Sequence, residues 1–375
     1  MSETNVDKKV VKNQSEESTK KFDVGSWLIP IVAVLVAMAI AAILIKLQGL
    51  NPITAYKSLF KTAFGSIEGL GVTLGKSTPL VLSGLAVAVG LRAGLFNIGA
   101  QGQFIAGAIG ASWVGFTFDL PTGIHAVAAI AAAMLFAGLY GGFVGLLKAR
   151  TGAHEVIVTI MLNYVAGYFL LWLLSTTAFL RPGRQDPLAP EVKMSARLRH
   201  LFGSELRANL GFIVALVAAA AIWWLLNRST WGFRFRAVGA NAAASRTAGI
   251  SVARVTTSVM FIAGALAGLG GAVQILGSEP AMTAGVGGSF GFDAITVALL
   301  GRATPIGTVF AALLFGALRA GGLTMQASTE TPLDLVLVIQ ALVVLFIAAP
   351  ALIKSLFRLK NVDEGETVAS KGWNG

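Results

Sequence analysis

The sequence predicts an all-α polytopic membrane protein of about ten transmembrane helices, some broken or re-entrant, with both termini in the cytosol. Three observations carry that expectation. Hydrophobic residues make up 55% of the 375 and charged residues only 13%, with a mean hydropathy of +0.75, far from the make-up of a soluble globular domain. Apolar runs of spanning length recur along the chain. Lysine and arginine fall largely in alternate connections between those runs, as the positive-inside rule requires. The 44 glycines fit the same picture, because lipid gives no hydrophobic drive between helices and close contact through small residues replaces it.

Residues 1–26 mix lysines with acids and hold few large apolar side chains, which reads as a disordered cytosolic tail. The run 27–45 is too long for a signal-peptide core and lacks a processing site, so it is a retained first span. Residues 51–65 set Tyr56, Phe60 and Phe64 at helical spacing beside Lys57 and Lys61, the pattern of an amphipathic segment at the outer surface. Further spans are expected at 74–91, 98–116, 124–147, 156–174, 210–226, 257–275, 292–300, 304–318 and 335–349. Together they make a transmembrane domain over 27–350, followed by a cytosolic tail over 351–375. Two late spans are short, and the segment 282–291 before them is rich in glycine. Irregular backbone at membrane depth persists only where it is buried in protein or lines a wet cavity, so a broken or re-entrant passage is expected there.

The N-terminal lysines, Arg92, Lys148 with Arg150, the loop 228–256, Arg302 and the basic stretch 354–360 all fall on one side, which must be cytosolic. The loop 179–208 resists. It carries Arg181, Arg184, Lys193, Arg197, Arg199 and Arg207, yet parity places it outside, a problem that Lys57 and Lys61 share. Late loops tolerate charge once earlier spans have set the orientation; the other reading is that this loop docks an acidic external partner.

The chain has no cysteine, which excludes disulfides and thiolate chemistry, and its three histidines, His125, His154 and His200, are too scattered for a metal site. The net charge of +11 lies in loops and tails without interleaved aromatics, so anionic lipid is the expected surface partner and nucleic acid is not. Gly71-Val72-Thr73-Leu74-Gly75-Lys76-Ser77 imitates a phosphate-binding loop, but Leu70 stands where the pattern needs its first glycine. The chain therefore carries no motif for hydrolysing ATP and is not expected to be an enzyme.

Within the loop 228–256, the stretch from Gly239 to Ile250 reads as a short capped helix. Asn241 is the N-cap, the alanines that include Ala243 and Ala244 have the highest helix propensity, and Gly249 can take the left-handed position that ends a helix. With Arg246 on it, this rod is placed to touch a cytosolic partner. A second group is Asn97, Gln101 and Gln103 at the mouth of the third span, together with Asn163 in the fifth. Amides can serve both donors and acceptors of a neutral polar solute, or simply bond helix to helix. Ionisable residues at membrane depth are costly, which singles out His154, Glu155, Asp293, Arg302 and Arg319 for function or pairing. Glu155, near Lys148 and Arg150, suits an interfacial ion pair. Asp293, beside Phe290 and Phe292, suits a solute path or a helix cap. Gly141 with Gly145 and Gly264 with Gly268 are helix-packing pairs, and Trp223 with Trp224 are interface anchors.

Three stretches carry a resemblance: Gly94-Leu95-Phe96-Asn97-Ile98-Gly99 with Gln101-Gly102-Gln103; His154-Glu155-Val156-Ile157-Val158-Thr159 with Met161-Leu162-Asn163; and Gly291-Phe292-Asp293-Ala294-Ile295 with Ala298-Leu299-Leu300-Gly301-Arg302. From about residue 51 to 357 the chain resembles the permease subunits of ABC importers of the branched-chain amino acid, simple-sugar and nucleoside group, the nucleoside type most of all. The resemblance implies a solute path through a bacterial cell membrane, with Asn97, Gln101, Gln103, Glu155, Asn163, Phe290, Phe292 and Asp293 as its candidates. It implies that the rod holding Gly239, Asn241, Ala243, Ala244, Arg246 and Gly249 seats in a cytosolic ATPase. ATP with Mg would be held by those ATPase subunits, and this chain would bind no cofactor. An extracellular or periplasmic solute-binding protein and a second, homologous permease complete the implied assembly. Simple sugars and branched-chain amino acids stay open as solutes. So does an ion-coupled secondary transporter, with Glu155 and Asp293 as its ion sites, and a membrane protein that moves no solute.

Overall fold

The computed structural model describes residues 24–201, 208–332 and 334–348. Residues 1–23 of the predicted tail 1–26, the predicted tail 351–375 and Arg207 lie outside the described residues, and 24–26 form the start of the first helix. Among the described residues the chain forms thirteen α-helices: α1 (Val24–Leu47), α2 (Pro52–Phe64), α3 (Ile67–Arg92), α4 (Ala100–Thr117), α5 (Ile124–Thr151), α6 (Glu155–Leu174), α7 (Leu210–Arg228), α8 (Thr230–Ala240), α9 (Ala242–Thr247), α10 (Val252–Val273), α11 (Phe290–Leu300), α12 (Pro305–Thr329) and α13 (Asp334–Ala348). Helix α10 runs on into a π-helical turn, Gln274–Ser278, and two short strands, β1 (Leu188–Glu191) and β2 (Ala281–Thr283), pair antiparallel.

Every expected span falls on one of these helices. Six of them, α3, α5, α6, α7, α10 with its π turn, and α12, are long and apolar enough to cross a membrane, so the protein is a helical, polytopic membrane protein. The other four expected spans lie on α1, α11 and α13, whose apolar stretches are shorter, and on α4, whose eighteen residues include two glutamines. The stretch Gly71 to Ser77 that imitates a phosphate loop is helical, inside α3, with the Ser77 hydroxyl donating to the Thr73 carbonyl at 2.7 Å.

Helix α10 is the most buried of the six and packs against α3, α4 and α5. Small residues set that closeness. A Cβ on Gly264 would lie 2.2 Å from the Ala137 carbonyl of α5, and one on Gly268 2.3 Å from the Ala137 Cβ. Gly141 meets the Met260 carbonyl in the same way, so the two predicted glycine pairs face each other across one helix crossing. Helix α2 buries Ala55, Leu59 and Ala63 and leaves Phe60 and Phe64 exposed. Its Leu59 packs on Gly321 of α12, and its Tyr56 hydroxyl donates to the Met38 carbonyl of α1 at 2.5 Å.

The strands were not expected. Their pairing, Leu188 with Thr283 and Glu191 with Ala281, ties the 179–208 loop to the segment that leads into the glycine-rich turn before α11.

Candidate functional site

After α3 ends at Arg92, Gly94 takes a left-handed φ of +71° and the chain turns into α4, whose first residue, Ala100, follows a glycine with no side chain to cap it. The four N–H groups of a helix start need partners, and the predicted amides supply two of them. Asn97 Oδ1 accepts from the Gly99 N–H at 3.0 Å, and Asn163 Oδ1, reaching across from α6, accepts from the Gly102 N–H at 2.8 Å. Asn163 Nδ2 also donates to the Ile98 carbonyl at 3.0 Å. Asn97 and Gln103 exchange amide hydrogen bonds at 2.9 and 3.3 Å. Gln101 turns the other way: its Oε1 accepts from the Gly291 N–H at 2.8 Å and its Nε2 donates to the Gly288 carbonyl at 3.0 Å, which fastens the start of α11 and its glycine-rich turn to α4. All four amide side chains are buried. The structure therefore brings them together as partners of one another and of two helix starts.

Beside them Phe290 stacks on Phe104, with centroids 5.5 Å apart, and the Arg319 guanidinium of α12 lies over the Phe290 ring, 4.4 Å from its centroid. Arg319 donates to Asp293 and to the Ser289 hydroxyl, and Ser289 in turn reaches Asp293 at 3.3 Å. Asp293 is thus half of an ion pair on the first turn of α11, where the helix dipole also favours an acid. Phe292 stands apart from this group, exposed on the outside of α11. Glu155, at the start of α6, accepts from Lys148 at 2.5 Å.

The predicted rod is α9. Asn241 Oδ1 accepts from the Ala244 N–H at 2.9 Å, and Gly249 has φ +81° with the Ile250 N–H returning to the Ser245 carbonyl at 2.9 Å. Only Ser245 of its six residues is buried. The chain reaches it through α8, whose Gly239 lies against the turn after α3: a Cβ there would stand 2.6 Å from the Arg92 carbonyl and 2.9 Å from the Gly94 nitrogen. Arg92 Nε donates to the Ala303 carbonyl at 2.8 Å, in a turn where Arg302 and Ala303 hold φ of +54° and +49°. The turns after α3 and α11 and the last turn of α8 thus meet. On the other flank of α9 a cleft of about 520 Å³ is lined by Lys148, Gly152, Arg246, Ile250 and Val252 among others.

The basic loop is paired with acids, two of its own and Asp119 from the connection between α4 and α5. Glu191 pairs with Arg197 at 2.8 Å and with Arg181 at 3.0 Å, Arg184 with Asp186 at 2.7 Å, and Lys193 with Asp119 at 2.6 Å. The hydrogen bonds from Arg197 and Arg181 hold the Glu191 carboxyl below the usual carboxylate range, and the one from Arg184 does the same for Asp186.

Sequence reasoning did not reach Phe104, Ser289 or the partnership of Arg319 with Asp293. The signal for the last was an arginine inside an apolar run, which needs a counter-charge; nothing local named the partner, 26 positions away.

The family model described as "branched-chain amino acid transport system / permease component" matches residues 70–348. The guanosine ABC transporter permease protein NupP of Bacillus subtilis is 42% identical over 86% of this chain and 93% of its own length. The nucleoside ABC transporter permease protein NupB of Lactococcus lactis is 35% identical over 92% and 97%, and the glucose ABC transporter permease protein TsgB13 of Haloferax volcanii 33% identical over 86% and 88%. No solved structure matches the chain. The chain belongs to the branched-chain amino acid transport permease family: it is a multi-pass membrane permease of an ABC importer, whose ATPase is a separate subunit.

Proposed function

We propose that this chain forms the translocation path for nucleosides. What carries the reading is its likeness, at 42% and 35% identity over most of both chains, to permeases named for guanosine and nucleosides. A simple sugar is the second reading, favoured by the glucose permease at 33%. The assembly we infer contains a second, homologous permease, a solute-binding protein outside, and a pair of cytosolic ATPase subunits that hold ATP with Mg. Ten spans with both termini inside, a transmembrane domain over 27–350, an outer loop over 179–208 and a cytosolic loop over 228–256 complete the proposed topology.

In this reading α9 is the contact with the ATPase, through Asn241, Ala243, Ala244, Arg246 and Gly249, and Gly239 passes its movement to the turn after α3. The contact of Gly239 with Gly94 and the exposure of α9 support that role. Asn97, Gln101, Gln103 and Asn163 border the path as the joint between its moving helices, with Phe290, Phe292 and Asp293 on α11 and Glu155 at the inner end of α6. Alternating access requires such joints to have two arrangements, and amides can exchange partners with one another or with a polar solute.

The test is uptake into vesicles that contain the whole transporter and its solute-binding protein, with ATP inside. Labelled guanosine should accumulate, and excess unlabelled nucleoside but not glucose should suppress it. Accumulation of glucose alone would transfer the assignment to sugars. Accumulation driven by an ion gradient without ATP would overturn it.

A further inference from the structure

The outward face of α6 is unlike the outward faces of its neighbours. The chain has four tyrosines. Two of them, Tyr56 and Tyr140, turn inward and donate their hydroxyls to the Met38 and Leu162 carbonyls at 2.5 and 2.7 Å. The other two, Tyr164 and Tyr168, lie one helical turn apart on α6, 62% and 70% exposed, and their hydroxyls meet no partner among the described residues. Trp172 continues the line one turn further on, 60% exposed and tilted against Phe169 at 5.5 Å.

Depth makes this informative. Tyr164 is the tenth of the twenty residues of α6, about 14 Å from its start at 1.5 Å per residue, which is the middle of a hydrocarbon layer roughly 30 Å thick. Tyrosine belongs at the membrane–water boundary, where its ring is in apolar surroundings and its hydroxyl is wet. At the midplane, against lipid, the hydroxyl would be left without a partner. Other outward faces obey that rule: α5 presents Val127, Leu135, Phe136, Leu139 and Phe143, and α7 presents Ile213, Leu216 and Val217. Helix α6 is also the least buried of the six long apolar helices.

A second observation points to the same face. Gly167 sits between the two tyrosines inside the helix, where glycine is less stable than alanine. Elsewhere in the bundle glycines are required by a neighbour, as at Gly107, Gly141, Gly264 and Gly268, where a Cβ would fall within 2.5 Å of another helix. At Gly167 a Cβ would meet nothing within 4 Å. Whatever needs room there lies outside the described residues.

We propose that the line Tyr164, Gly167, Tyr168 and Trp172 is a wall of the wet translocation path and bears on the solute directly, the aromatic faces stacking on a planar base while the tyrosine hydroxyls bond its polar edge or the sugar. This rests on the reading of the chain as a nucleoside permease. It also gives Asn163 its place: about 100° round the helix from Tyr164 and one turn before Gly167, Asn163 ties α6 to the start of α4, so movement of that joint shifts the wall.

Because the chain has no cysteine, single cysteines report on each face without background from it. In vesicles holding the complete transporter, Tyr164→Cys and Tyr168→Cys should react with a membrane-impermeant maleimide, and guanosine should slow the reaction severalfold. Val127→Cys and Val217→Cys, on the lipid-facing sides of α5 and α7, should not react. Cysteines at 164 and 168 as inert as those controls would overturn the proposal, as would reaction that guanosine leaves unchanged in vesicles that do accumulate it. Vesicles of the unsubstituted protein that accumulate no nucleoside would instead refute the functional reading. Gly167→Leu gives an independent readout: uptake should fall more than tenfold at an unchanged membrane level, whereas a lipid-facing site would accept leucine with no loss.

Discussion

Gly239 of α8 rests on Gly94 with no side chain between them, each backbone within about van der Waals reach of the other. A methyl group at 239 would stand 2.6 Å from the Arg92 carbonyl and 2.8 Å from the Ala93 carbonyl carbon, and neither is the movable end of a side chain. Overpacking of this kind costs about 1–3 kcal/mol. Gly239→Val should therefore pry the rod-bearing segment from the turn after α3. ATP-driven uptake per molecule in the membrane should fall at least about tenfold, the ratio for about 1.4 kcal/mol, while the ATPase activity of the complex persists. Uptake and ATPase that stay coupled would mean that force passes elsewhere.

The rod itself calls for a different substitution than the sequence suggests. Ala243 looks like a helix interior, but it is the second residue of α9, and in a first turn the N–H that proline removes has no helical acceptor to lose. Ser245 is the position that matters. It is buried, and its N–H donates to the Asn241 carbonyl at 3.0 Å. Ser245→Pro should cost about 3 kcal/mol of helix stability and Asn241→Ala about 1 kcal/mol. We expect Ser245→Pro to abolish uptake, Asn241→Ala to reduce it, and Ala243→Pro to do the least. Equal effects of the two prolines in an uptake assay would show that α9 does not act as a folded rod.

These cases show which features the chain declares locally. An apolar run declares its own helix, and Asn241 with Gly249 declares both ends of α9, because capping depends on residues within one turn. The clustering of Asn97, Gln101 and Gln103 was also visible, all within seven positions. The distant partners of Gln101 were not. Gln101 bonds to Gly288 and Gly291, some 190 positions on, and no period or spacing encodes a contact made by tertiary packing. Strands β1 and β2, four and three residues long, are too short for alternation to register. Helix α8 escaped because Arg234 and Arg236 interrupt its apolar residues, giving the look of a polar loop.

The pair between Arg319 and Asp293 is largely buried, with side chains 20% and 16% exposed. Removing one partner of a buried pair strands the other charge, at a cost of about 3–5 kcal/mol, whereas replacing both by apolar residues is often neutral. Arg319→Met should lower the thermal stability of the purified complex sharply, and Arg319→Met with Asp293→Leu should recover it. Transport separates structure from path: recovery of stability without recovery of uptake places the charges on the solute route. A double variant no more stable than Arg319→Met would mean that the two residues are not energetically coupled.

The 179–208 loop should be sensitive to acid. Hydrogen bonds from Arg197 and Arg181 hold Glu191 below its ordinary value, so its carboxylate is worth more to the folded loop than to the unfolded chain. That contribution is fully present above the unfolded glutamate value of about 4.3 and is lost as pH falls through the lower, folded value. Asp186, held down by Arg184, acts in the same direction. Both pairs are open to solvent, so high salt should weaken them as acid does. Hydrogen exchange at the Leu188 and Val192 amides, which donate to the Asp186 and Pro280 carbonyls at 2.8 Å, gives the measure. After correction for intrinsic rates, protection should be level from pH 7 to pH 5 and decline below about pH 4. Glu191→Gln should show at pH 7 the weaker protection that the unsubstituted chain reaches only in acid. If the glutamine variant keeps full protection at neutral pH, the loop is held by its strand pairing with β2 and not by its charges.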